Sequence, residues 1–262
     1  MSALRQFFGR RIHSLRDQAR GAIEYARYPD RAAAWGGPFN GQPARQALFR
    51  ALIRQLEPAA IVETGTHNGT TTEFMAETGL PVFTIESHPH RYGFARARLW
   101  RRRNVTLLHE DSRAGLRGLF DGPLRGFANR TLFVYLDAHW NDDLPLLEEL
   151  DIVFVRCPGA VVMVDDFRVP GDSDYRYDDY GSGKVFSDGY ISITVAKLGL
   201  VAYYPSTPGS METGYRRGCV VLSNPIVHGT KLSSIPLLRT ASSRVDHELD
   251  LKTMMTDRNV DP

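Results

Sequence analysis

The chain has 262 residues, 42% of them hydrophobic, and its formal net charge of +2 is too small to indicate nucleic acid as the main partner. A chain of this length can bury a sizeable core in one or two domains. Because it has no apolar run of roughly 20 residues and no recognisable signal peptide, we expect a cytoplasmic protein in which Cys157 and Cys219 are buried free thiols.

An arginine-rich helix is expected over residues 3–28, because apolar residues recur at helical spacing from Leu4 to Ile23. It could pack on its own domain or on a second subunit of a homo-oligomer. Basic amphipathic helices also lie on anionic membrane surfaces, so peripheral membrane contact is the alternative. Glycines and prolines then predict a linker. We assign residues 1–42 to an N-terminal helical extension with this linker.

Strands and helices alternate from residue 43 to 225, which we assign to one domain. The predicted strands are residues 60–63, 81–86, 104–109, 131–137, 160–165, 200–204 and 219–223. The predicted helices are residues 43–56, 70–78, 89–102, 112–119, 143–155 and 187–198. This alternation indicates an α/β fold, a doubly wound and mostly parallel seven-stranded sheet that a final hairpin closes with one antiparallel strand. Residues 226–262 are expected to form a C-terminal tail, packed on the domain or partly disordered.

The first strand leads through Glu63 and two glycines, Gly65 and Gly69, into a helix. A strand, a glycine turn and a helix hold a nucleoside in many doubly wound sheets, because glycine lets the backbone approach the ligand. A nicotinamide dehydrogenase would show the tighter Gly-x-Gly-x-x-Gly spacing. The turn therefore predicts a nucleoside site, and the dehydrogenase is the weaker alternative.

Acidic residues stand at the ends of predicted strands. They are Glu63, Glu86, Asp137, Asp165 and Asp166. The carboxyl ends of parallel strands share one edge of the sheet, where ligands bind. Glu86 follows the glycine turn by roughly 20 residues, the spacing of a carboxylate that binds ribose hydroxyls.

The segment after the third strand has two interpretations. Asp111 and Ser112 are candidates for a contact with an adenine amino group. Asp and Ser that precede helices are also ordinary N-caps, and Asp143 is expected to be one.

Asp137, Asp165 and Asp166 are the candidate metal ligands. Three carboxylates from two neighbouring strand ends would repel one another unless a cation or protons intervened. Mg²⁺ prefers such oxygen ligands and readily accepts substrate oxygens as well. The alternative is that Asp166 pairs with a neighbouring arginine such as Arg168 and that Asp137 caps a turn.

These motifs resemble those of class I S-adenosylmethionine-dependent methyltransferases, specifically the metal-dependent catechol O-methyltransferase type and its antibiotic-sugar, macrocin-type relatives. The matching stretches are Glu63-Thr-Gly65-Thr-His-Asn-Gly69-Thr-Thr71, Phe83-Thr-Ile-Glu86-Ser-His-Pro89, Val105-Thr-Leu-Leu-His-Glu-Asp111-Ser112, Leu136-Asp137-Ala-His139-Trp140 and Val164-Asp165-Asp166. The resemblance covers residues 60–167 and does not specify the substrate.

The resemblance implies a Rossmann-like methyltransferase fold and O-methylation of a small-molecule or saccharide hydroxyl, with Mg²⁺ held by the three aspartates. The cofactor-binding residues that it implies are Glu63, Gly65, Thr66, His67, Gly69, Thr71, Glu86, Ser87, Asp111, Ser112 and Asp137. Asn141 replaces the lysine base of the catechol enzymes, so His139 is the candidate catalytic base, with a loop-ordering role as the alternative.

Two further features leave alternatives open. The loop over residues 170–184 is dense in Tyr, Asp and Gly, so it is either a substrate lid or a solvated insertion. A non-catalytic scaffold protein could retain the nucleoside pocket and use its arginine-rich helix to engage a partner. A nucleic-acid methyltransferase is disfavoured, because no Asn/Asp-Pro-Pro-Tyr/Phe tetrapeptide follows the fourth strand.

Overall fold

The computed structural model describes residues 2–29, 35–139, 143–181 and 183–241, with side chains from residue 13 onward. Its strands form one eight-stranded sheet in the order β3-β2-β1-β4-β5-β7-β6-β8. The strands are β1 Ala60–Thr64, β2 Val82–Glu86, β3 Val105–His109, β4 Leu132–Leu136, β5 Ala160–Asp165, β6 Val201–Pro205, β7 Cys219–Ser223 and β8 Leu238–Arg239.

Helices flank the sheet. They are α1 Ser2–Arg27, the four-residue helical turn α2 Pro38–Gly41, α3 Pro43–Leu56, α4 Thr70–Ala76, α5 Pro89–Leu99, α6 Ser112–Asp121, α7 Leu146–Arg156, α8 Asp188–Leu198 and α9 Pro225–Ser233. One core layer packs α6, α7 and α8 against the sheet, and the other packs α3, α4 and α9 against its opposite face. Helices on both faces confirm the predicted doubly wound architecture.

The sheet is parallel from β3 to β5 and closes with β7, which is antiparallel to both β5 and β6. Every residue of β1, β4 and β5 is buried, as nearly continuous apolar sequences require of central strands. The predicted mostly parallel sheet is confirmed. The count of seven strands is one short, because β8 adds a two-residue antiparallel edge within the predicted tail.

Helix α1 confirms the predicted N-terminal helix and packs against α5. The two backbones touch at Gly21 and Gly93, where an added Cβ would lie 2.0 Å from the carbonyl oxygen of His90 and of Gln18 respectively. The described part of the helix therefore packs on its own domain. Membrane contact, a homo-oligomer and the assigned domain boundaries stay predictions. No helix in the described ranges is long and apolar enough to cross a membrane.

Candidate functional site

A cavity of about 1060 Å³ opens along the carboxyl ends of β1, β2, β4 and β5. It brings together almost all of the predicted site residues, and Gly69 is the exception. The predicted residues that line it are Glu63, Gly65, Thr66, His67, Thr71, Glu86, Ser87, Asp111, Ser112, Asp137, His139, Asp165 and Asp166. The predicted clustering at one sheet edge is therefore present in the structure.

The glycine turn brings two strand ends together. Gly65 has a φ of 82°, and a Cβ there would lie 2.2 Å from the carbonyl oxygen of Asp137. Gly69 precedes α4 with a φ of 73° and packs on Leu99. The glycines are therefore needed for contacts within the chain, and the predicted backbone approach to a ligand stays a prediction.

Replacing Gly65 with alanine is expected to destabilise the protein far more than the same change at Gly79. Both glycines have positive φ, which costs alanine about 1–2 kcal/mol, but nothing lies within 4 Å of a Cβ at Gly79. The overlap with the Asp137 carbonyl adds about 1–3 kcal/mol. Urea denaturation of both variants measures the difference, and equal losses of unfolding free energy would contradict this packing.

Two buried carboxylates, Glu63 and Glu86, face the cavity from neighbouring strand ends. Glu63 accepts hydrogen bonds from the Thr72 and Thr84 hydroxyls, and its burial raises its pKa to about 7. Glu86 accepts backbone N–H bonds of 2.7 Å from His67 and from His88, and its burial raises its pKa against the effect of those bonds. The turn thus holds the Glu86 carboxylate in one orientation at the cavity wall.

Asp111 is the N-cap of α6 and accepts backbone N–H bonds from Arg113 and Ala114. Its carboxylate also pairs with the Arg113 guanidinium, which bridges to Asp143. The capping alternative is therefore observed for Asp111, although the residue also lines the cavity. The expected cap at Asp143 is wrong, because α7 begins only after Pro145 and Asp143 pairs with Arg113 instead.

Glu149 is a buried carboxylate that the sequence did not single out. It lies in the first turn of α7, 1% exposed, and its Oε1 has no hydrogen-bond partner. Burial raises the pKa of Glu149 to about 7, although a hydrogen bond with Ser112 opposes the shift. In sequence this position is one of two adjacent glutamates in an amphipathic helix, which gives no signal of its burial.

We expect Glu149→Gln to gain stability relative to wild type as the pH rises. Below pH 4.5, the ordinary pKa of this carboxyl, the folded and the unfolded wild-type chains both keep the proton, so the stability linked to the protonated Glu149 is fully present. Between 4.5 and about 7 the unfolded chain releases the proton before the folded protein does, so wild type loses roughly 3 kcal/mol that the glutamine variant keeps. Denaturant unfolding from pH 4 to 8 measures this. Glu148→Gln, on a half-exposed neighbour, is the control and should show little of this pH dependence.

The far end of the cavity holds His139 among three carboxylates. Its Nε2 lies 3.4 Å from Asp166 Oδ2, 3.5 Å from Asp178 Oδ2 and 3.8 Å from Asp137 Oδ1. Burial alone would lower the pKa of His139, but the hydrogen bond and the charges of Asp166 and Asp178 outweigh it and raise the pKa. The Phe186 ring packs edge-on at 4.5 Å. The imidazole is therefore held in a fixed position in the cavity wall by Asp166, Asp178 and Phe186.

Asp165 has partners for both of its oxygens. Arg45 donates to Oδ1, while the Tyr135 hydroxyl and the Asn40 amide donate to Oδ2 at 2.6 and 2.9 Å. Arg45 and Asp165 each have side chains 1% exposed, so the pair is fully buried. No sequence pattern singles out Arg45, which lies within an ordinary amphipathic helix.

Asp166 pairs with an arginine, as one alternative predicted, but the arginine is Arg217. The Arg217 guanidinium bridges Asp166 and Asp178. Burial alone would raise the pKa of Asp166, but the hydrogen bonds that His139 and Arg217 donate to it outweigh this effect and lower the pKa. Arg168 lies over the Tyr177 ring instead, 5.5 Å from its centroid. Asp178 comes from the long loop over residues 170–184, for which a substrate lid and a solvated insertion were the two alternatives, so this loop forms part of the cavity wall.

The predicted magnesium ligands do not fit a bound ion as they stand. Ligand atoms of Asp137, His139 and Asp166 lie within 4.8 Å of one another, which is the one such group among the described residues. Asp165 is absent from that group because its oxygens face Arg45, Asn40 and Tyr135. Mg²⁺ prefers oxygen ligands and several of them, whereas here only Asp137 offers a carboxylate without an arginine partner. Asn141, the position of the lysine base in the catechol enzymes, lies outside the described residues.

The residues present fit a nucleoside cofactor better than they fit a metal. Glu86 offers a fixed carboxylate at the end of β2, and the cavity extends from it past Glu63 to His139. Its volume lies just above the range of roughly 300–1,000 Å³ that is typical of small-molecule sites. These carboxylates are therefore suited to a ligand that has a ribose diol at one end and a positively charged group near the acidic residues.

The sheet order and the carboxylates at the strand ends define a Rossmann-like methyltransferase fold. Models of known protein families give no match to the sequence, and curated protein sequences give none either. Solved structures share the fold, and three of them are described below.

A candidate O-methyltransferase from Klebsiella pneumoniae has a TM-score of 0.52 and 21% identity, over 76% of this chain and 88% of its own. The O-methyltransferase from Bacillus cereus, in complex with S-adenosylhomocysteine, has a TM-score of 0.51 and 19% identity, over 69% and 80%. TomG from Streptomyces achromogenes, an O-methyltransferase of tomaymycin synthesis in complex with S-adenosylmethionine, has a TM-score of 0.50 and 23% identity, over 68% and 78%. Since fewer than a quarter of the residues are identical in each case, the likeness establishes the fold alone.

Proposed function

We propose that the protein is an S-adenosylmethionine-dependent O-methyltransferase that acts on a small-molecule or sugar hydroxyl. The observation that carries the proposal is the Glu86 carboxylate, which the turn between β1 and α4 orients into a cavity that ends at His139. The solved structures that share the fold include O-methyltransferases with the cofactor or its demethylated product bound.

The nucleoside half of the cavity would bind the cofactor. Glu86 would accept hydrogen bonds from ribose hydroxyls, which is what a carboxylate at the end of β2 does in doubly wound folds. Asp111 and Ser112 at the start of α6 would border the adenine, and the turn from Gly65 to Thr71 with Glu63 would border the methionine portion. The remaining predicted cofactor residues, Ser87 and Asp137, also line the cavity, which supports the same proposed role for them.

S-adenosylmethionine, when bound, supplies an activated methyl group, so the protein mainly aligns the acceptor and removes its proton. His139 would accept the hydroxyl proton in its neutral form at Nδ1, because Nε2 carries the hydrogen that it donates to Asp166. Asp166 and Asp178 would hold the ring and stabilise the imidazolium that forms, because both lie within 3.5 Å of Nε2. Asp137, whose Oδ1 lies 3.8 Å from the same nitrogen, would orient the acceptor. Since the aspartates do not fit Mg²⁺ as they stand, no step is assigned to a metal.

The acceptor would enter past an aromatic pair. Trp35 and Tyr215 line the cavity, with ring centroids 4.9 Å apart in an edge-to-face arrangement. They are 49% and 45% exposed, so they present apolar faces to a ligand ring. This surface supports a sugar or aromatic acceptor of small size.

A cytoplasmic location stays a prediction.

The test is a methyl-transfer assay with S-adenosylmethionine labelled in its methyl group. A panel of sugar diols, amino sugars and catechols would serve as acceptors, and the expected result is label in an ether product from at least one class. Label that appears only on nitrogen or carbon atoms of the acceptors would contradict O-methylation.

A further inference from the structure

We infer that Arg45 and Arg217 supply the positive charge that a divalent metal would supply at the ends of β4 and β5, so that methyl transfer in this protein is metal-independent. The inference rests on the proposed function for its reaction and on the arginine contacts for its chemistry. Asp165 and Asp166 leave β5 side by side, and each has its own guanidinium partner.

Arg45 neutralises Asp165 from within the core. Arg45 lies in α3, the first helix after the linker, and its side chain and that of Asp165 are each 1% exposed. Displacing the guanidinium would leave a buried cation without a partner, which is strongly unfavourable. A metal ion therefore cannot gain Asp165 as a ligand without breaking this pair.

Arg217 neutralises Asp166 and Asp178 together. Its guanidinium uses one nitrogen for each carboxylate, so one cation ties the end of β5 to the long loop. Its backbone is fixed by Gln42, whose fully buried side chain accepts from the Arg217 N–H and donates to its carbonyl. Arg45 donates to that carbonyl as well. The two arginines are thus parts of one built arrangement.

The arrangement changes what the acceptor must offer. A metal-assisted methyltransferase binds two vicinal oxygens of its acceptor to the ion and acidifies one of them. Here His139 would take the proton of the acceptor hydroxyl at Nδ1, and the oxygen would receive the methyl group that S-adenosylmethionine supplies when bound, with the neutral thioether as leaving group. A single hydroxyl is sufficient for this step, so we expect acceptors with an isolated hydroxyl to be as competent as diols.

The test is the direct binding of Mn²⁺, followed by electron paramagnetic resonance in the absence of cofactor and acceptor. Wild type should bind Mn²⁺ no better than a protein without a site. Arg217→Met, which removes the guanidinium but keeps the apolar stem, should release Asp166 and Asp178 and bind Mn²⁺ at least ~10-fold more tightly.

Two matched controls separate the carboxylates from general charge. Arg217→Lys keeps a cation between Asp166 and Asp178 and should behave as wild type. Arg216→Met removes an exposed positive charge from the same loop and should also behave as wild type. If thermal unfolding shows that Arg217→Met does not fold, Arg217→Gln serves in its place.

One-to-one Mn²⁺ binding by wild type below ~0.1 mM would overturn the inference. A folded Arg217→Met variant that binds Mn²⁺ as weakly as wild type would also overturn it. Because neither measurement uses S-adenosylmethionine, a failure of the inference is distinguishable from a failure of the proposed function, which would show as a loss of cofactor binding by wild type.

Discussion

Replacing Glu86 with alanine is expected to weaken S-adenosylmethionine binding ~10²–10⁴-fold. The proposed contact comprises two hydrogen bonds from ribose hydroxyls to a carboxylate, each worth about 1.5–3 kcal/mol, and each 1.4 kcal/mol corresponds to tenfold in affinity. The carboxylate is already oriented by the His67 and His88 N–H groups, so little ordering cost offsets these bonds. Isothermal titration calorimetry of wild type and variant measures the change.

Glu110→Ala is the matched control for that experiment. Glu110 carries the same charge, lines the same cavity and is exposed, so its loss should change the affinity less than about threefold. Since Glu86 also accepts two backbone bonds of the turn, the variant's circular dichroism and unfolding midpoint must be compared with those of wild type. Equal losses for the two variants would show that general charge, and not a ribose contact, governs binding.

Replacing His139 with alanine is expected to lower kcat by ~10²–10⁴-fold, the usual contribution of a positioned general base. Cofactor affinity should stay nearly unchanged, because the proposed cofactor contacts other than Asp137 lie at the ends of β1, β2 and β3. Only neutral imidazole accepts a proton, so the wild-type rate should rise with pH through the pKa of His139. Asp166 and Asp178 raise that pKa above its ordinary value of 6.5, so the rising limb is expected at correspondingly higher pH.

The pH–rate profiles of wild type and His139→Ala separate the base from the alternative role in ordering the loop. A base accounts for the rising limb, which the variant should lose. A variant that keeps the full kcat and the same limb would show that His139 only packs against Phe186. His139→Gln provides a second reading, since it keeps a polar side chain of similar size without a titrating nitrogen.

The fold was predictable from sequence because its signals are local. Alternating apolar and helical stretches located β1 to β7, and the central strands were readable because their residues are apolar throughout. The missed strand β8 has only two residues, too few for any periodicity. Helix α9 was also missed, because the residues after 225 were assigned to the C-terminal tail. Its start was nevertheless marked in the sequence, since Asn224 caps it and Pro225 occupies its first turn.

For each contact in the candidate site, the sequence allowed the acidic residue to be predicted but not its partner. The acidic residues could be placed because the carboxyl ends of parallel strands meet at one edge. Their partners could not, because Arg45 lies 120 positions before Asp165, and Arg217 lies 51 positions after Asp166. No local pattern marks an arginine that will become buried beside a distant carboxylate. Carboxylates this close together do need compensating positive charge, and arginines of the chain supply it to Asp165 and Asp166.

Calorimetric titration of the wild-type protein with S-adenosylmethionine, S-adenosylhomocysteine and NAD tests directly whether the cavity binds a methionine-derived nucleoside. We expect saturable one-to-one binding of both methionine-derived nucleosides and no detectable binding of NAD. A folded protein that binds neither nucleoside, or that binds NAD tightly instead, would contradict it.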